Sequence, residues 1–223
     1  MAFSSSTPPA AQELASSKEL VVRNEEGEAV KLGDILENKE GAGGKVVVIF
    51  IRPCSLTSIG PFLRPLRPDA RLQQDYISFL TASLPPSLLA AHNLKISVIG
   101  CGDWKLIAPY RSTLGTPFEV YADSSRESYE RLGMTLRTLD MGGVKPEYQK
   151  EGMFRNALSS IFRVFSAFKT PMGGGDMKQL GGEFVFENGQ PIYVHRMENT
   201  RGHAPLDELL KAVGISPEEV KKA

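Results

Sequence analysis

Two thiols, Cys54 and Cys101, carry the main reactive chemistry of this 223-residue chain. Sulfur attacks as thiolate rather than thiol. A cysteine at a strand end, just before a helix N-terminus, has its pKa lowered by the helix dipole and by free backbone N–H groups. Cys54 has the first half of that arrangement: it stands two residues beyond Lys45-Val46-Val47-Val48-Ile49-Phe50-Ile51-Arg52, and Arg52 would favour the anion. The second half is missing, since no helix start is legible at Cys54, so an inert loop thiol stands beside the reactive reading. Cys101 ends a second apolar run, Leu94-Lys95-Ile96-Ser97-Val98-Ile99-Gly100, where a packed strand-end cysteine is the plainer reading. Two cysteines and three scattered histidines (His92, His195, His203) lack the spacing of a zinc site, so no metal is expected. Gly173-Gly174-Gly175 lacks the Lys-Ser/Thr that completes a phosphate loop.

The elements that must position these thiols follow from the hydrophobic pattern. Within residues 45–52, six consecutive residues (46–51) are β-branched or aromatic without polar alternation, which predicts a strand buried on both faces. Residues 94–99 predict a second strand and 118–121 a third. Between them come helices opening at 74–80, interrupted by Pro85-Pro86, and over 106–114. A helix over 125–132, capped by Asp123 or Ser124 and closed by Gly133, follows. Strand–helix alternation predicts a mainly parallel sheet with right-handed crossovers. A short hairpin is expected over 20–32, with Gly27 at its turn. The strongest hairpin signal is Asn188-Gly189 between 183–186 and 191–195, because that pair tolerates positive φ. Residues 153–168 have helical periodicity with a stripe of phenylalanines, read as core, and an amphipathic helix is expected over 205–213. His195 and Arg196 close the last strand in structural or surface roles. Thr116-Pro117 has the composition of a cis-proline element but the position of an ordinary turn.

Composition narrows the class. Forty-one per cent hydrophobic and 23% charged residues suit one sizeable core, and 26 basic against 26 acidic residues give no electrostatic case for nucleic acid. No apolar run approaches the roughly 20 residues that span a bilayer. The Ser-, Ala- and Pro-rich start has neither a basic lead nor an apolar segment, so no membrane role is expected and a cytoplasmic, reducing location is the default. The expected organisation is a disordered tail over 1–18, one domain over 19–215 and a C-terminal tail over 216–223.

Several segments, in order, carry a resemblance. Val98-Ile99-Gly100-Cys101-Gly102, Pro117-Phe118-Glu119-Val120-Tyr121-Ala122-Asp123, Tyr129-Glu130-Arg131-Leu132-Gly133-Met134, Gln179-Leu180-Gly181-Gly182-Glu183-Phe184-Val185-Phe186 and His195-Arg196-Met197-Glu198-Asn199-Thr200 resemble the AhpC/TSA antioxidant-enzyme-domain family of the peroxiredoxin-like 2 type. The similarity runs over residues 20–214. It implies an α/β, thioredoxin-like fold of peroxiredoxin type: a mixed sheet with an N-terminal β-hairpin, parallel core strands, a C-terminal antiparallel hairpin and flanking helices. It also implies thiol-dependent reduction of hydroperoxides or disulfides, without a cofactor, with thioredoxin or glutathione as thiol electron donor and a homodimer as one assembly.

With the usual thioredoxin strand order, the strands ending near Cys54 and Cys101 are parallel neighbours. Cys54 is then the nucleophile and Cys101 its candidate resolving thiol, joined through a reversible disulfide. Gln179, Gly181 and Gly182 would flank the Cys54 strand on its other side. There paired glycines permit close backbone approach to the active cysteine and substrate, or else only a bend. One segment departs from the family. Its strand end leads within a few residues into a Cys-x-x-Cys-like element and then the helix beginning like Gln74-Asp75-Tyr76. Here a longer, proline-dense interval follows Cys54 without a second cysteine. Either this is a real variant loop or a mis-spliced segment has replaced the motif. A non-catalytic scaffold or regulatory binding protein is therefore the alternative function.

Overall fold

The computed structural model describes residues 4–38, 43–52, 68–143, 146, 148 and 178–222, with residues 68–73 described by backbone alone. Cys54 and the helix expected over 153–168 lie outside the described residues. The strands are β1 (Val21–Arg23), β2 (Ala29–Lys31), β3 (Lys45–Ile51), β4 (Leu94–Gly100), β5 (Glu119–Ala122), β6 (Gly182–Glu187) and β7 (Gln190–Arg196). They form one sheet in the order β2-β1-β5-β4-β3-β6-β7.

β3 is the axis of this sheet. Its apolar run is buried on both faces, as the absence of polar alternation predicts. On one side it pairs in parallel with β4, bringing Ile51 level with Gly100. On the other it pairs antiparallel with β6, setting Ile49 opposite Glu183 and Phe50 opposite Gly182. β5 continues the parallel core beyond β4, and β7 completes the closing hairpin at Asn188-Gly189, both at positive φ. The strand order β4-β3-β6-β7, with β6 antiparallel, is the thioredoxin-like arrangement that the resemblance implies.

Period-2 alternation along β3 divides the core into two layers. Val47, Ile49 and Ile51 face α3 (Pro68–Ser83) and α7 (Leu206–Val213), packing with Tyr76, Ile77, Leu80, Leu209 and Leu210. Val46, Val48 and Phe50 face α2 (Leu32–Leu36) and α6 (Glu127–Arg131), packing with Leu32, Leu36 and Tyr129. The Pro85-Pro86 break falls between α3 and α4 (Pro86–Ala91), and α5 (Ile107–Leu114) follows β4 through a single turn at Trp104–Leu106. Asp123 caps the α6 region by accepting hydrogen bonds from the Arg126 and Ser128 amides, at 2.8 and 3.0 Å. No cis peptide bond occurs among the described residues, and Thr116-Pro117 lies between α5 and β5, with the Thr116 hydroxyl 2.9 Å from that of Thr81.

Both expected tails contain ordered helix. Residues Ala11–Lys18 form α1, which buries Leu14 and seats the Ser17 hydroxyl on the Leu14 carbonyl at 2.8 Å. The physical reason lies far along the chain. Arg196, buried at the end of β7, donates through Nη1 to the carbonyls of Ser4 and Thr7 at 2.8 and 2.7 Å, and through Nε to Leu132 at 2.7 Å. Composition alone carries no sign of that distant partner. At the other end Pro217–Lys222 forms α8, opened by a reciprocal cap. Glu219 Oε2 accepts from the Ser216 amide at 2.8 Å, and the Glu219 amide donates to Ser216 Oγ at 3.4 Å.

Gly181 and Gly182 start β6 where two backbones nearly touch. A Cβ on Gly181 would lie 1.8 Å from the Phe50 carbonyl oxygen, and one on Gly182 would lie 2.4 Å from the His195 oxygen. Gly181 thus serves a close approach to the end of β3 and Gly182 one to β7.

Two predictions follow from these contacts. Arg196→Met should lower the free energy of unfolding by about 2–3 kcal/mol, because three carbonyls lose a charged donor at once. Urea unfolding measures the loss, and faster amide exchange over residues 4–18 should accompany it. Gly181→Ala should cost about 3 kcal/mol by forcing β6 off β3, whereas Gly143→Ala should stay within about 0.5 kcal/mol. At Gly143 an added Cβ meets nothing within 4 Å.

Candidate functional site

The parallel pairing of β3 and β4 puts the chain exits of both strands at one edge of the sheet. Arg52, one residue past β3, is buried, and Cys101, one residue past β4, lies level with it because Ile51 pairs with Gly100. Cys54 follows Arg52 by two residues in sequence and lies outside the described residues. The expected adjacency of the two strands therefore holds, while the Cys54–Cys101 separation falls outside what is described.

Tyr129, reaching up from α6, ties the two strand ends together. Its buried hydroxyl lies 2.7 Å from the Ile51 carbonyl and 2.8 Å from that of Ile99, and its ring meets Phe50 edge-on at 5.0 Å. The phenol is pushed well above its ordinary pKa, first by burial and then by the neighbouring Cys101 and Asp123. Cys101 sits against this lock, 2% exposed, with Sγ 3.8 Å from the Ile51 carbonyl. Burial dominates its electrostatics and raises the thiol from 9.0 to about 12, against a smaller opposing hydrogen bond with Tyr129. In this packing Cys101 is a neutral, covered thiol at physiological pH.

Gln179 is equally committed. Its side chain is buried and donates from Nε2 to the Met134 and Leu180 carbonyls at 2.6 and 2.9 Å, anchoring the approach to β6. Gly181 and Gly182 hold their positions by touching the β3 and β7 backbones. His195 sits with Nε2 at 2.8 Å from the Gly202 carbonyl, and Arg196 clasps the N-terminal segment. The geometry thus gives Gln179, Gly181, Gly182, His195 and Arg196 architectural contacts at the same end of the sheet.

One polar cluster escapes sequence reasoning. Glu183 lies in the middle of the apolar run Gly182-Glu183-Phe184-Val185-Phe186, and both its side chain and that of His203 are fully buried. His203 Nδ1 meets Glu183 Oε1 at 2.5 Å, while Oε2 accepts from the Ala204 amide at 3.0 Å. The Tyr76 ring stacks on the imidazole at 4.1 Å with an interplanar angle of 9°, and its hydroxyl donates to the Ala204 carbonyl at 3.1 Å. The sequence signal was available: a carboxylate inside a strand buried on both faces must have a partner. What the sequence could not supply was which of three scattered histidines answers it. Among the described residues no group of three or more His, Cys, Asp or Glu side chains could hold a metal ion, and no helix is long and apolar enough to cross a membrane.

The curated relatives include peroxiredoxin-like 2C of Homo sapiens, 28% identical over 214 residues, covering 94% of this chain and 84% of that protein. The Mus musculus protein of the same name is 28% identical over 207 residues, covering 91% and 81%. Among solved structures, the peroxidoxin BcpB from Mycobacterium tuberculosis aligns over 96% of both chains at 12% identity and a TM-score of 0.48. The Xanthomonas campestris bacterioferritin comigratory protein, described for alkyl peroxide reduction, aligns over 90% of this chain and 93% of that one, at 15% identity and a TM-score of 0.45. The family model for AhpC/TSA antioxidant enzymes matches residues 80–199, more than half of the sequence, and the chain belongs to that family.

Proposed function

We propose that this chain is a thiol-dependent peroxide reductase in which Cys54 is the nucleophile. The observation that carries this reading is the pairing of β3 with β4 and β6, which makes the exit of β3, two residues before Cys54, the centre of the sheet's active edge. In the reaction the Cys54 thiolate attacks the terminal oxygen of a hydroperoxide. The S–O bond forms as the O–O bond breaks, sulfur is oxidised by two electrons to the sulfenic acid, and the departing alkoxide takes a proton to become the alcohol. A second thiol then condenses with the sulfenic acid, releasing water and leaving a disulfide.

The state of Cys101 bears on who supplies that second thiol. Covered and held neutral, it can resolve Cys54 only after the Tyr129 lock opens. An external donor such as glutathione or a thioredoxin dithiol therefore fits the resting packing better than an internal disulfide. Cytoplasmic location and homodimer formation belong to the same reading. A second function, a non-catalytic thioredoxin-like binding protein, is favoured by a specific feature: residues 55–73 contain no second cysteine and three prolines.

Two measurements separate these outcomes. In reduced protein treated with hydrogen peroxide, Cys54 should form a sulfenic acid far faster than a free thiol, with the Cys54→Ser variant inert and glutathione converting the product to a mixed disulfide. Oxidation at the rate of a free thiol would establish the scaffold reading instead. Cys101 should resist iodoacetamide at pH 8 until the protein unfolds. Because its folded-state pKa is raised, its contribution to stability is fully present below 9.0 and is lost as the pH climbs toward about 12. Cys101→Ala should flatten the fall of unfolding free energy across that window.

A further inference from the structure

We propose that Thr7 is a phosphorylation site for a proline-directed protein kinase, and that its phosphate closes on Arg196, a buried guanidinium to which the fold gives no counter-charge. The inference goes beyond the thiol reaction and uses none of its residues. Arg196 ends β7 with 4% of its surface exposed. Nε donates to the Leu132 carbonyl at 2.7 Å, and Nη1 to the carbonyls of Ser4 and Thr7 at 2.8 and 2.7 Å. The Phe184 ring lies 5.6 Å from Cζ, and Gly133 makes room on another side, where a Cβ would come within 3.0 Å of Nε. Each of these neighbours is neutral, and among the described residues no carboxylate pairs with the guanidinium. A buried cation is ordinarily paired with an anion, because neutral dipoles return only part of its lost hydration. Burial accordingly lowers the Arg196 pKa, with no nearby charge opposing it.

The segment this guanidinium holds is the one that offers a modifiable hydroxyl. Ser4 and Thr7 curl around Nη1 with their hydroxyls 2.7 Å apart, and the Ser5 carbonyl accepts from the Arg196 amide at 2.8 Å. Thr7 is exposed, and residues 7–10 belong to no helix or strand. Pro8 and Pro9 bias Thr7 and Pro8 toward extended backbone. An exposed hydroxyl on extended chain, followed at once by a residue without an N–H, is the substrate pattern of proline-directed kinases. Three hydrogen bonds from Arg196 hold residues 4–7, so the segment enters a kinase cleft by giving up those bonds while buried Leu14 keeps α1 in place.

The other Ser/Thr-Pro pairs are less suited. Thr116 is buried, Ser216 Oγ lies 2.7 Å from the Glu219 carboxylate, which would repel a phosphate, and Thr170 lies outside the described residues. In the transfer the bond from Thr7 Oγ1 to the γ-phosphorus of a nucleoside triphosphate forms as the bond to the bridging oxygen breaks. The nucleoside diphosphate leaves, and the hydroxyl proton passes to the kinase's carboxylate base. The phosphothreonine brings about two negative charges and three acceptor oxygens. Paired with Arg196 through charge-assisted hydrogen bonds, it locks the N-terminal segment onto β7 and onto Leu132 at the end of α6.

The test incubates the full chain with a proline-directed kinase and ATP and locates the phosphate by mass spectrometry. Phosphate should enter at Thr7 and be lost from that position in Pro8→Ala. Phosphorus NMR then follows the second ionisation of the phosphothreonine. In the folded protein its pKa should fall at least about half a unit below the value in the same protein unfolded in urea, which should lie near 6. A cation beside the phosphate favours the dianion, which sets that sign. The shift should vanish in Arg196→Met, and amide exchange over residues 4–10 should slow roughly fivefold or more on phosphorylation of the wild type. If Arg196→Met does not fold, the folded and unfolded wild type still decide the pairing.

Absence of phosphate at Thr7, or equal incorporation there in Pro8→Ala, would overturn the proposal. The same phosphate pKa in folded and unfolded protein, or exchange over residues 4–10 that is unchanged or faster, would overturn it by showing that the phosphate does not meet Arg196. A shift that persists in folded Arg196→Met would do so by assigning it to another cation. None of these outcomes bears on the reductase reading, which Cys54 oxidation tests separately.

Discussion

β3 is hydrogen-bonded along both edges and covered on both faces, and the remaining architecture is arranged around that double constraint. Each of its fully buried aliphatic or aromatic side chains contributes about 1.5–3 kcal/mol relative to exposure. A one-residue slip would exchange the two core layers and set each side chain against packing partners shaped for its neighbour. The consequence is positional: the exit of β3 at Arg52 cannot wander relative to the exits of β4 and the entry of β6, so any chemistry carried just beyond it starts from a rigid base.

Several polar side chains buried at this end have their partners supplied. Tyr129 serves two strand-end carbonyls, Arg196 three carbonyls on the rim, Gln179 two more, and Glu183 takes both an imidazole and an amide. Unpaired, each such group would cost about 1–3 kcal/mol, more where charged. Paired, they restrict the edge to one arrangement, since a hydrogen-bonded network tolerates displacement less than an apolar contact does. The glycines at 181 and 182 belong to the same logic by a different route. Where two backbones come this close, specificity resides in the absence of a side chain.

How much of this was legible in the sequence depends on the range of the signal. The buried strands, the Asn188-Gly189 hairpin and the parallel core follow from local pattern, because strand period and turn chemistry are properties of a few adjacent residues. The adjacency of the Cys54 and Cys101 strands came from the family resemblance. The helix over residues 11–18 was not legible, because what it packs against, α2 and α6, lies elsewhere in the chain, with Arg131 of α6 paired to Glu13 across 118 residues. The short C-terminal helix was legible in Ser216-Pro217-Glu218-Glu219 as a capping pattern but was read as tail. Glu183 announced itself as a charge in an apolar strand, yet its partner His203 sits beyond β7, and only the fold joins them. The sealed state of Cys101 was likewise out of reach, because a strand-end cysteine reads the same whether a tyrosine covers it or not.

The contrast between the two thiols is where fold and chemistry meet. Cys101 lies inside the lock that holds the sheet's edge together, and its neutrality follows from that position: burial that secures the strand ends also denies the sulfur the solvation a thiolate needs. Of the two thiols it is therefore Cys54, three residues past β3 in sequence, to which the proposed reaction assigns the attack. In the proposed cycle the second thiol comes from a donor in solution, because burial holds Cys101 neutral; the lack of a second cysteine soon after Cys54 then changes who completes the cycle rather than whether the first step can occur.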